Sequence, residues 1–185
     1  YKRQQLGTAH AVLQAAPMLE GFAGNAIVLY GDTPFIRAET LEEMLAARKQ
    51  HDIVVLGFEA ADPGRYGRLV MEGDTLLRIV EYKDATESER RIGLCNSGVL
   101  CADAATLLRL VSEVGNENAA GEYYLTDIVA LGRAQGLSAT AVTCAEVETM
   151  GVNTRAQLAT AEAAFQARAR GEAAENGVTL LDPAT

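Results

Sequence analysis

The sequence contains no tryptophan and only two histidines, and aromatic residues make up 5% of it. Its three cysteines, Cys95, Cys101 and Cys144, lack CxxC spacing. They are therefore predicted to be buried thiols of a reducing compartment, and neither a disulfide framework nor a zinc site is expected. His10 has no second histidine or carboxylate at metal-ligand spacing, and we treat both histidines as structural. Nucleophilic catalysis by a serine or cysteine with a histidine base cannot be argued from this sequence.

Positive charge is in the minority, with 16 Lys and Arg against 25 Asp and Glu, which gives a net charge of -9. A nucleic-acid or membrane-surface binder would need a basic face, so neither kind of partner is expected. No run reaches the roughly 18 apolar residues of a membrane span, and no signal peptide is visible. We therefore expect a cytoplasmic protein, and 185 residues suffice for one domain with a substantial core.

The chain contains one apolar run that ends in a carboxylate. Positions 26–30, AIVLY, predict a buried parallel strand, which Gly31 and Asp32 terminate before Pro34. In open α/β sheets, ligands bind at the carboxyl ends of such strands. Asp32 could therefore hold a hard cation such as Mg²⁺ together with a phosphorylated substrate. From this strand alone, a simple turn-capping role for Asp32 is equally open.

The remaining pattern alternates helices with strands, which favours an α/β fold. The expected helices include one at 8–16 that Pro17 ends, one with a capping-box pattern at 40–43, and one capped by Asp103. Two more are expected at 126–136 and 154–170. Strands are predicted at 52–59, 68–71, 76–82, 96–101 and 138–143, with a hairpin turn at Gly73.

A series of short motifs occurs in a fixed order along the chain. Each is weak alone, but the ordered set, which includes the run GEYYLTD, is specific. The motifs are LGTA at 6–9, LYGDTP at 29–34, YGR at 66–68, VEYKDAT at 80–86, NSG at 96–98, GEYYLTD at 121–127 and GVN at 151–153.

Together these motifs resemble the uridylyltransferase domain of the GlmU family, the bacterial bifunctional enzymes that make UDP-N-acetylglucosamine. The resemblance covers positions 5–183. It implies an α/β fold with a Rossmann-like mixed sheet of the sugar nucleotidyltransferase (GT-A-like) type. It also implies transfer of UMP from UTP to N-acetylglucosamine 1-phosphate, which gives UDP-N-acetylglucosamine and pyrophosphate for cell-wall and lipopolysaccharide precursor synthesis.

The resemblance further implies a metal site. Asp32 matches the family's metal-binding aspartate, and Asn153 matches its second protein ligand. Their oxygens suit Mg²⁺, whose other positions go to phosphates and water, so we predict Mg²⁺ as the cofactor and both residues as catalytic. Lys83 is the third predicted catalytic residue. It lies two positions after Glu81, so on a strand it would point to the same face and could neutralise a phosphate.

The remaining assignments are substrate contacts carried over from the family. An ordinary role stays open for each of them, such as a helix start, a turn, an exposed strand position or, for Thr126 and Asn153, helix capping. The predicted contacts are Gly7 and Thr8 with uracil, Tyr30, Gly31 and Asp32 with nucleotide and sugar, Gly67, Glu81 and Asn96 with the sugar, Glu122, Tyr124 and Thr126 in the loop over the N-acetyl sugar, and Asn153 at the metal.

The chain also departs from the family pattern. The family's glycine-rich loop with its arginine and lysine is not found, so we expect an N-terminally truncated domain at 1–170 that is weakly active or inactive. Positions 171–185 are predicted to be a linker toward an absent C-terminal domain, and no hexapeptide repeats of the acetyltransferase appear. The full-length parent is expected to be a homotrimer. The family's base-contacting glutamine falls near Lys2 and does not match.

Three functions stay open at this point. The first is an incomplete uridylyltransferase that acts on UTP, N-acetylglucosamine 1-phosphate and UDP-N-acetylglucosamine. The second is a nucleotidyltransferase for another sugar 1-phosphate, such as glucose 1-phosphate. The third is a non-catalytic sugar-nucleotide-binding module that lacks the phosphate loop.

Overall fold

The computed structural model describes residues 6–182, so Lys2 lies outside the described residues. Two short 3₁₀ turns, Glu89–Arg91 and Glu146–Thr149, accompany the regular elements. The helices and strands are α1 Thr8–Leu13, α2 Ala16–Leu19, β1 Asn25–Val28, α3 Ala38–Ala47, β2 Ile53–Glu59, β3 Arg68–Glu72, β4 Thr75–Val80, β5 Leu94–Asp103, α4 Ala104–Glu113, α5 Asp127–Ala134, β6 Ala139–Cys144 and α6 Arg155–Glu175.

The strands form one six-stranded mixed sheet around β5. Strands β1, β2 and β3 all pair with β5 in antiparallel orientation, while β6 runs parallel to β2 on its far side. Leu100 of β5 lies between Val28 of β1 and Val55 of β2. The mixed sheet that the resemblance implied is confirmed.

Both faces of the sheet are covered, which explains the unbroken apolar runs of β2 and β5. Successive strand residues point to opposite faces. Ile53 and Val55 therefore pack with α4 and α5 residues in one cluster, whereas Val54 and Leu56 join Met44 of α3 in the other. Continuous apolar strands thus support two separate half-cores.

The prediction for the first strand is wrong in three respects. It ends at Val28, and it is an antiparallel, partly exposed strand. An apolar run indicates that a strand is present, but it determines neither how fully the strand is covered nor the direction of its partner. Tyr30, Gly31 and Asp32 consequently belong to the loop that leaves β1.

Three helix predictions also need correction. Pro17 lies in the first turn of α2, where a missing N–H costs nothing, and does not merely end α1. Thr40 lies inside α3, and its hydroxyl is used elsewhere. Helix α6 continues through Gly171 to Glu175, because one glycine costs only about 1 kcal/mol in a helix otherwise rich in alanine. The predicted linker therefore begins inside a helix.

The N-cap of α4 gives a direct stability prediction. The Asp103 carboxylate accepts hydrogen bonds from the N–H groups of Ala105 and Thr106, both at 3.1 Å. Replacing Asp103 with alanine should lower the free energy of unfolding by about 1 kcal/mol, whereas Asp103→Asn should cost less because the amide oxygen can still cap. Urea denaturation of the chain would measure both. Equal losses in the two variants would contradict the capping role.

Candidate active site

Six of the residues singled out in the sequence line one cleft of about 360 Å³. They are spread over positions 30–153, and strand register brings three of them together at one end of the sheet. Arg68 of β3 pairs with both Val80 and Cys95, so the residues next to these three positions are also neighbours. The six are Tyr30, Asp32, Gly67, Glu81, Asn96 and Asn153.

The floor of the cleft is formed where β3, β4 and β5 meet. The Gly67 carbonyl accepts a hydrogen bond from the Asn96 N–H at 2.8 Å. A Cβ atom on Gly67 would lie 3.4 Å from the Asn96 Cβ and 3.5 Å from Oε1 of Glu81. Glycine at this position therefore keeps open the space directly beside a carboxylate and an amide.

Tyr30 covers a neighbouring glycine that the sequence analysis had quoted only as part of a motif. Gly98 has a φ of +87°, and a Cβ there would lie 2.3 Å from the Tyr30 ring. Its N–H donates to Oδ1 of Asn96 at 3.0 Å. The asparagine and the aromatic ring thus both contact the β5 backbone at Gly98, whose positive φ only glycine adopts without strain.

Glu81 is a half-buried carboxylate of the cleft. Burial raises the pKa of its carboxyl, and the nearby Asp127 and Asp84 raise that pKa further, while a hydrogen bond from Thr126 lowers it. The Thr126 hydroxyl donates to Oε1 of Glu81 at 3.2 Å. Thr126 precedes α5 but makes no side-chain cap hydrogen bond, so its hydroxyl serves the cleft and not the helix.

The Tyr30 phenol belongs to the same electrostatic group. Burial is the main cause that raises the pKa of Tyr30, and Glu81 and Asp32 add to the effect. A hydrogen bond with the Thr8 side chain acts in the opposite direction. At neutral pH the phenol is therefore a neutral donor that faces carboxylates.

The loops that carry Asp32 and Asn153 are bonded to each other. The Val152 N–H donates to the Asp32 carbonyl at 2.8 Å. Thr154 and Gln157 form the capping box of α6, and the Asn153 N–H donates to the Gln157 side chain at 2.8 Å. Since Thr154 performs the N-cap role, the capping alternative for Asn153 does not hold. Asp32 and Asn153 both line the cleft.

The donor set suits a hard cation only in part. A carboxylate and an amide oxygen are suitable ligands for Mg²⁺, which keeps several waters or takes substrate phosphates at its remaining positions. Between residues 6 and 182 there is no group of three or more His, Cys, Asp or Glu side chains that could hold a metal by itself. A cation bound here would therefore depend on oxygens from a phosphorylated ligand.

A second pocket of about 440 Å³ continues from the cleft and shares Tyr30 and Asp32 with it. Two further predicted residues, Thr8 and Gly31, line it. The Thr8 hydroxyl accepts a hydrogen bond from the Leu125 N–H at 2.9 Å. Thr8, which is predicted to contact uracil, thus adjoins the cleft that contains the predicted sugar contacts, with Tyr30 and Asp32 lining both spaces.

Gly7, which precedes Thr8, packs directly against the backbone of Tyr123. Its φ is +114°, and a Cβ there would lie 2.4 Å from the Tyr123 carbonyl oxygen. The Tyr123 N–H donates to Leu6 and its carbonyl accepts from Ala9, which fixes the start of α1 against the GEYYLTD segment. Any side chain at Gly7 would break this contact.

The premise for Lys83 is wrong. Strand β4 ends at Val80, and the Asp84 N–H donates to the Glu81 carbonyl in a turn, so strand alternation does not reach Lys83. Its side chain is exposed and is not among the cleft-lining residues. The predicted phosphate contact has no geometric basis in this arrangement.

The loop predicted to close over the sugar lies at the rim. Glu122 is exposed, and Tyr124 is half-buried. Burial raises the pKa of Tyr124, and Asp84 and Glu81 contribute, so this phenol lies near the acids of the cleft. Neither Glu122 nor Tyr124 lines the cleft directly, whereas Thr126 reaches it through Glu81.

Two arginines were not predicted. Arg65 is exposed and lines the cleft. Arg68 is 1% exposed and donates to the carbonyls of Tyr66, Gly64 (3.0 Å) and Arg90 (3.4 Å), which holds the loop that presents Arg65. The YGR motif contained Arg68, but nothing in the pattern distinguished a buried arginine from an exposed one, and Arg65 gave no signal.

Comparison with solved structures defines the fold class. The chain superposes on UDP-glucose pyrophosphorylase complexed with UDP-glucose with a TM-score of 0.66 at 16% identity, over 89% of this chain and 64% of that one. A nucleoside-diphosphate-sugar pyrophosphorylase from Vibrio cholerae gives 0.64 at 15% identity, over 86% and 66%. The fold is therefore that of the sugar nucleotidyltransferases.

Comparison with curated sequences finds relatives that share one description. The chain is 70% identical over 182 residues to the bifunctional protein GlmU of Cereibacter sphaeroides, covering 98% of this chain and 40% of the relative. The corresponding proteins of Ruegeria pomeroyi and Paracoccus denitrificans are each 64% identical over 184 residues, covering 100% of this chain and 41% of theirs. No family model matches. Along its whole length the chain is similar to GlmU proteins, and it spans about 40% of the length of these relatives.

The raised pKa of Glu81 gives a prediction with a defined sign. A carboxyl whose folded pKa lies above its unfolded value contributes stability below the unfolded pKa, and this contribution is lost as pH rises through the folded pKa. Glu81→Gln keeps an acceptor for Thr126 but cannot ionise. We expect this variant to gain stability relative to the wild type between about pH 4 and about pH 7.

Chemical denaturation at both pH values would measure this difference. Glu72→Gln, at an exposed position at the end of β3, is the matched control and should track the wild type. A Glu81→Gln difference that stays constant with pH would show that burial does not destabilise the ionised carboxylate.

Proposed function

We propose that this chain carries the sugar-nucleotide site of a UTP:N-acetylglucosamine-1-phosphate uridylyltransferase that uses Mg²⁺. The observation that carries the proposal is the convergence of Asp32 and Asn153 with Glu81, Asn96 and Gly67 in one cleft. The first pair supplies oxygens for a cation, and the others supply polar groups at a glycine-lined floor suited to sugar hydroxyls. The identity of 60–70% with GlmU relatives supports the same choice.

The proposed reaction needs no protein nucleophile. A phosphate oxygen of N-acetylglucosamine 1-phosphate attacks the α-phosphorus of UTP in line, a new P–O bond forms, and the bond to the bridging oxygen breaks as pyrophosphate leaves. Such transfers depend on positioning and charge neutralisation. Bound Mg²⁺ would supply charge neutralisation at the phosphates and a template for their orientation.

The residues of this chain take distinct parts in that scheme. Asp32 and Asn153 would hold the cation and so set where the phosphates lie. Glu81 and Asn96 would accept and donate hydrogen bonds to sugar hydroxyls, with Gly67 leaving room for the ring. Tyr30, a neutral phenol next to both pockets, would separate the sugar from the nucleoside.

Cationic groups for the triphosphate are few on the cleft wall. Arg65 is the single Lys or Arg among the cleft-lining residues of the described chain. We therefore keep the expectation that the 185-residue chain turns over weakly, and binding is the sharper test. The expectations of a homotrimeric parent, a cytoplasmic location and a role in cell-wall precursor synthesis belong to this proposal. Within the described segment no helix is long and apolar enough to cross a membrane.

Ligand-dependent thermal unfolding of the chain tests the proposed substrate. UDP-N-acetylglucosamine with Mg²⁺ at roughly 100-fold excess over its dissociation constant should stabilise the folded chain by about 2.7 kcal/mol. UDP-glucose at the same concentration should give a smaller shift, because it lacks the N-acetyl group. Equal shifts would favour a nucleotidyltransferase for another sugar, and the absence of any shift in a chain that unfolds cooperatively would contradict the proposal.

Substitution of Asp32 tests the metal assignment. In the Asp32→Ala variant, addition of Mg²⁺ should no longer strengthen binding of UDP-N-acetylglucosamine, whereas in the wild type it should do so at least about 10-fold. Titration calorimetry with Mg²⁺ or with EDTA measures this. Asp74→Ala, at an exposed position of the β3–β4 turn, is the control and should keep the metal dependence. Retained dependence in Asp32→Ala would remove Asp32 from the metal site.

A further inference from the structure

Glu148 is a buried carboxylate outside the residues assigned above. It lies in the 3₁₀ turn Glu146–Thr149, between β6 and the loop that carries Asn153, and it is only 7% exposed. Across residues 6–182 no lysine or arginine forms a salt bridge with it. Burying an unpaired carboxylate is costly unless hydrogen bonds satisfy it, so its partners indicate what it holds in place.

Both partners of Glu148 lie at the start of α3. Oε2 accepts a hydrogen bond from the Thr40 hydroxyl at 2.6 Å and another from the Arg37 N–H at 3.2 Å. Arg37 is the N-cap residue of this helix and makes no side-chain cap hydrogen bond. The carboxylate therefore serves as a cap supplied from a distant part of the chain.

This cap connects the same two segments that carry Asp32 and Asn153. The chain leaves Asp32, passes through Phe35 and enters α3 at the Glu148 contact. On the other side it leaves Glu148 and reaches Asn153 through Val152, whose N–H donates to the Asp32 carbonyl at 2.8 Å. The two segments are thus tied at both ends, once by backbone and once by the buried carboxylate.

We propose that Glu148 is a positioning residue that sets the separation of the Asp32 and Asn153 oxygens and thereby the affinity for the divalent cation. This proposal rests on the metal site of the proposed function. Residues that orient metal ligands without touching the metal typically change metal affinity 10–100-fold when removed. The alternative is that Glu148 only stabilises α3, and the experiments below separate the two.

The test uses matched variants of the 185-residue chain. Glu148→Ala removes the tie, and Glu148→Gln keeps an oxygen that can accept from Arg37 and Thr40. Glu146→Ala is the control, because Glu146 lies in the same turn and accepts a backbone N–H at 3.3 Å, but from Ala61 and not from the segment that contains Asp32. Amide exchange in β5 checks that every variant keeps its core.

Hydrogen exchange of the Val152 amide in the chain without ligand is the first measurement. Glu148→Ala should speed this exchange at least about 10-fold, since an opening energy lowered by 1.4 kcal/mol has that effect. Glu148→Gln and Glu146→Ala should remain near the wild type. Faster exchange confined to α3, with Val152 unchanged, would overturn the proposal and leave only helix capping.

Binding of Mn²⁺ as the probe metal, followed by electron paramagnetic resonance in the presence of UDP-N-acetylglucosamine, is the second measurement. Glu148→Ala should bind Mn²⁺ 10–100-fold more weakly, Glu148→Gln should largely restore the affinity, and binding of the sugar nucleotide in EDTA should not change. Wild-type affinity for Mn²⁺ in Glu148→Ala would overturn the proposal. A wild-type chain that binds no UDP-N-acetylglucosamine would contradict the proposed function instead, while Val152 exchange still decides whether the tie exists.

Discussion

The antiparallel register around β5 is the constraint on which the candidate site depends. Because β5 pairs with β1, β2 and β3, its alignment decides which residues meet at the cleft end of the sheet. Asn96, Ser97 and Gly98 all line the cleft, and the Ser97 hydroxyl also donates to the Leu56 carbonyl at 2.7 Å. A slip of one residue would turn every side chain of β5 to the opposite face of the sheet. Such a slip would be costly, because alternate residues of β5 pack into one half-core and the residues between them pack into the other.

Electrostatics gives the cleft its chemical character. Asp32 and Glu81 line it, and Asp84 and Asp127 lie close enough to raise the pKa of Glu81. Thr126 donates a hydrogen bond to Glu81 and the Ala119 N–H donates one to Asp84, while no arginine or lysine of the described residues forms a salt bridge with any of these four acids. An acidic cleft repels a nucleotide unless a cation accompanies it. The excess of negative charge therefore favours a ligand that binds together with a cation. Arg65 is the one positively charged side chain among the cleft-lining residues of the described chain.

Much of this architecture could be predicted from sequence, and the failures have physical causes. Local signals were reliable where one residue determines a conformation, as with the Asp103 cap and the hairpin at Gly73, whose φ is +58°. The direction and the burial of β1 were both predicted wrongly, because an apolar run determines neither the orientation of the partner strand nor how fully the strand is covered. Lys83 was misplaced because β4 ends before it. Six of the residues singled out through the ordered motifs line one cleft, namely Tyr30, Asp32, Gly67, Glu81, Asn96 and Asn153.

Glu148 illustrates what a sequence conceals. In the run AEVETM its carboxylate is indistinguishable from that of Glu146, yet one is buried against α3 and the other is exposed. The difference arises only because Arg37 and Thr40, from a segment far away in the chain, present two donors at that point. Residues that touch a ligand can be found through motifs, but residues that hold two loops together are defined by the contact alone. The separation of Asp32 and Asn153 is therefore a property of the folded chain, with the Val152 and Glu148 hydrogen bonds as its two physical determinants.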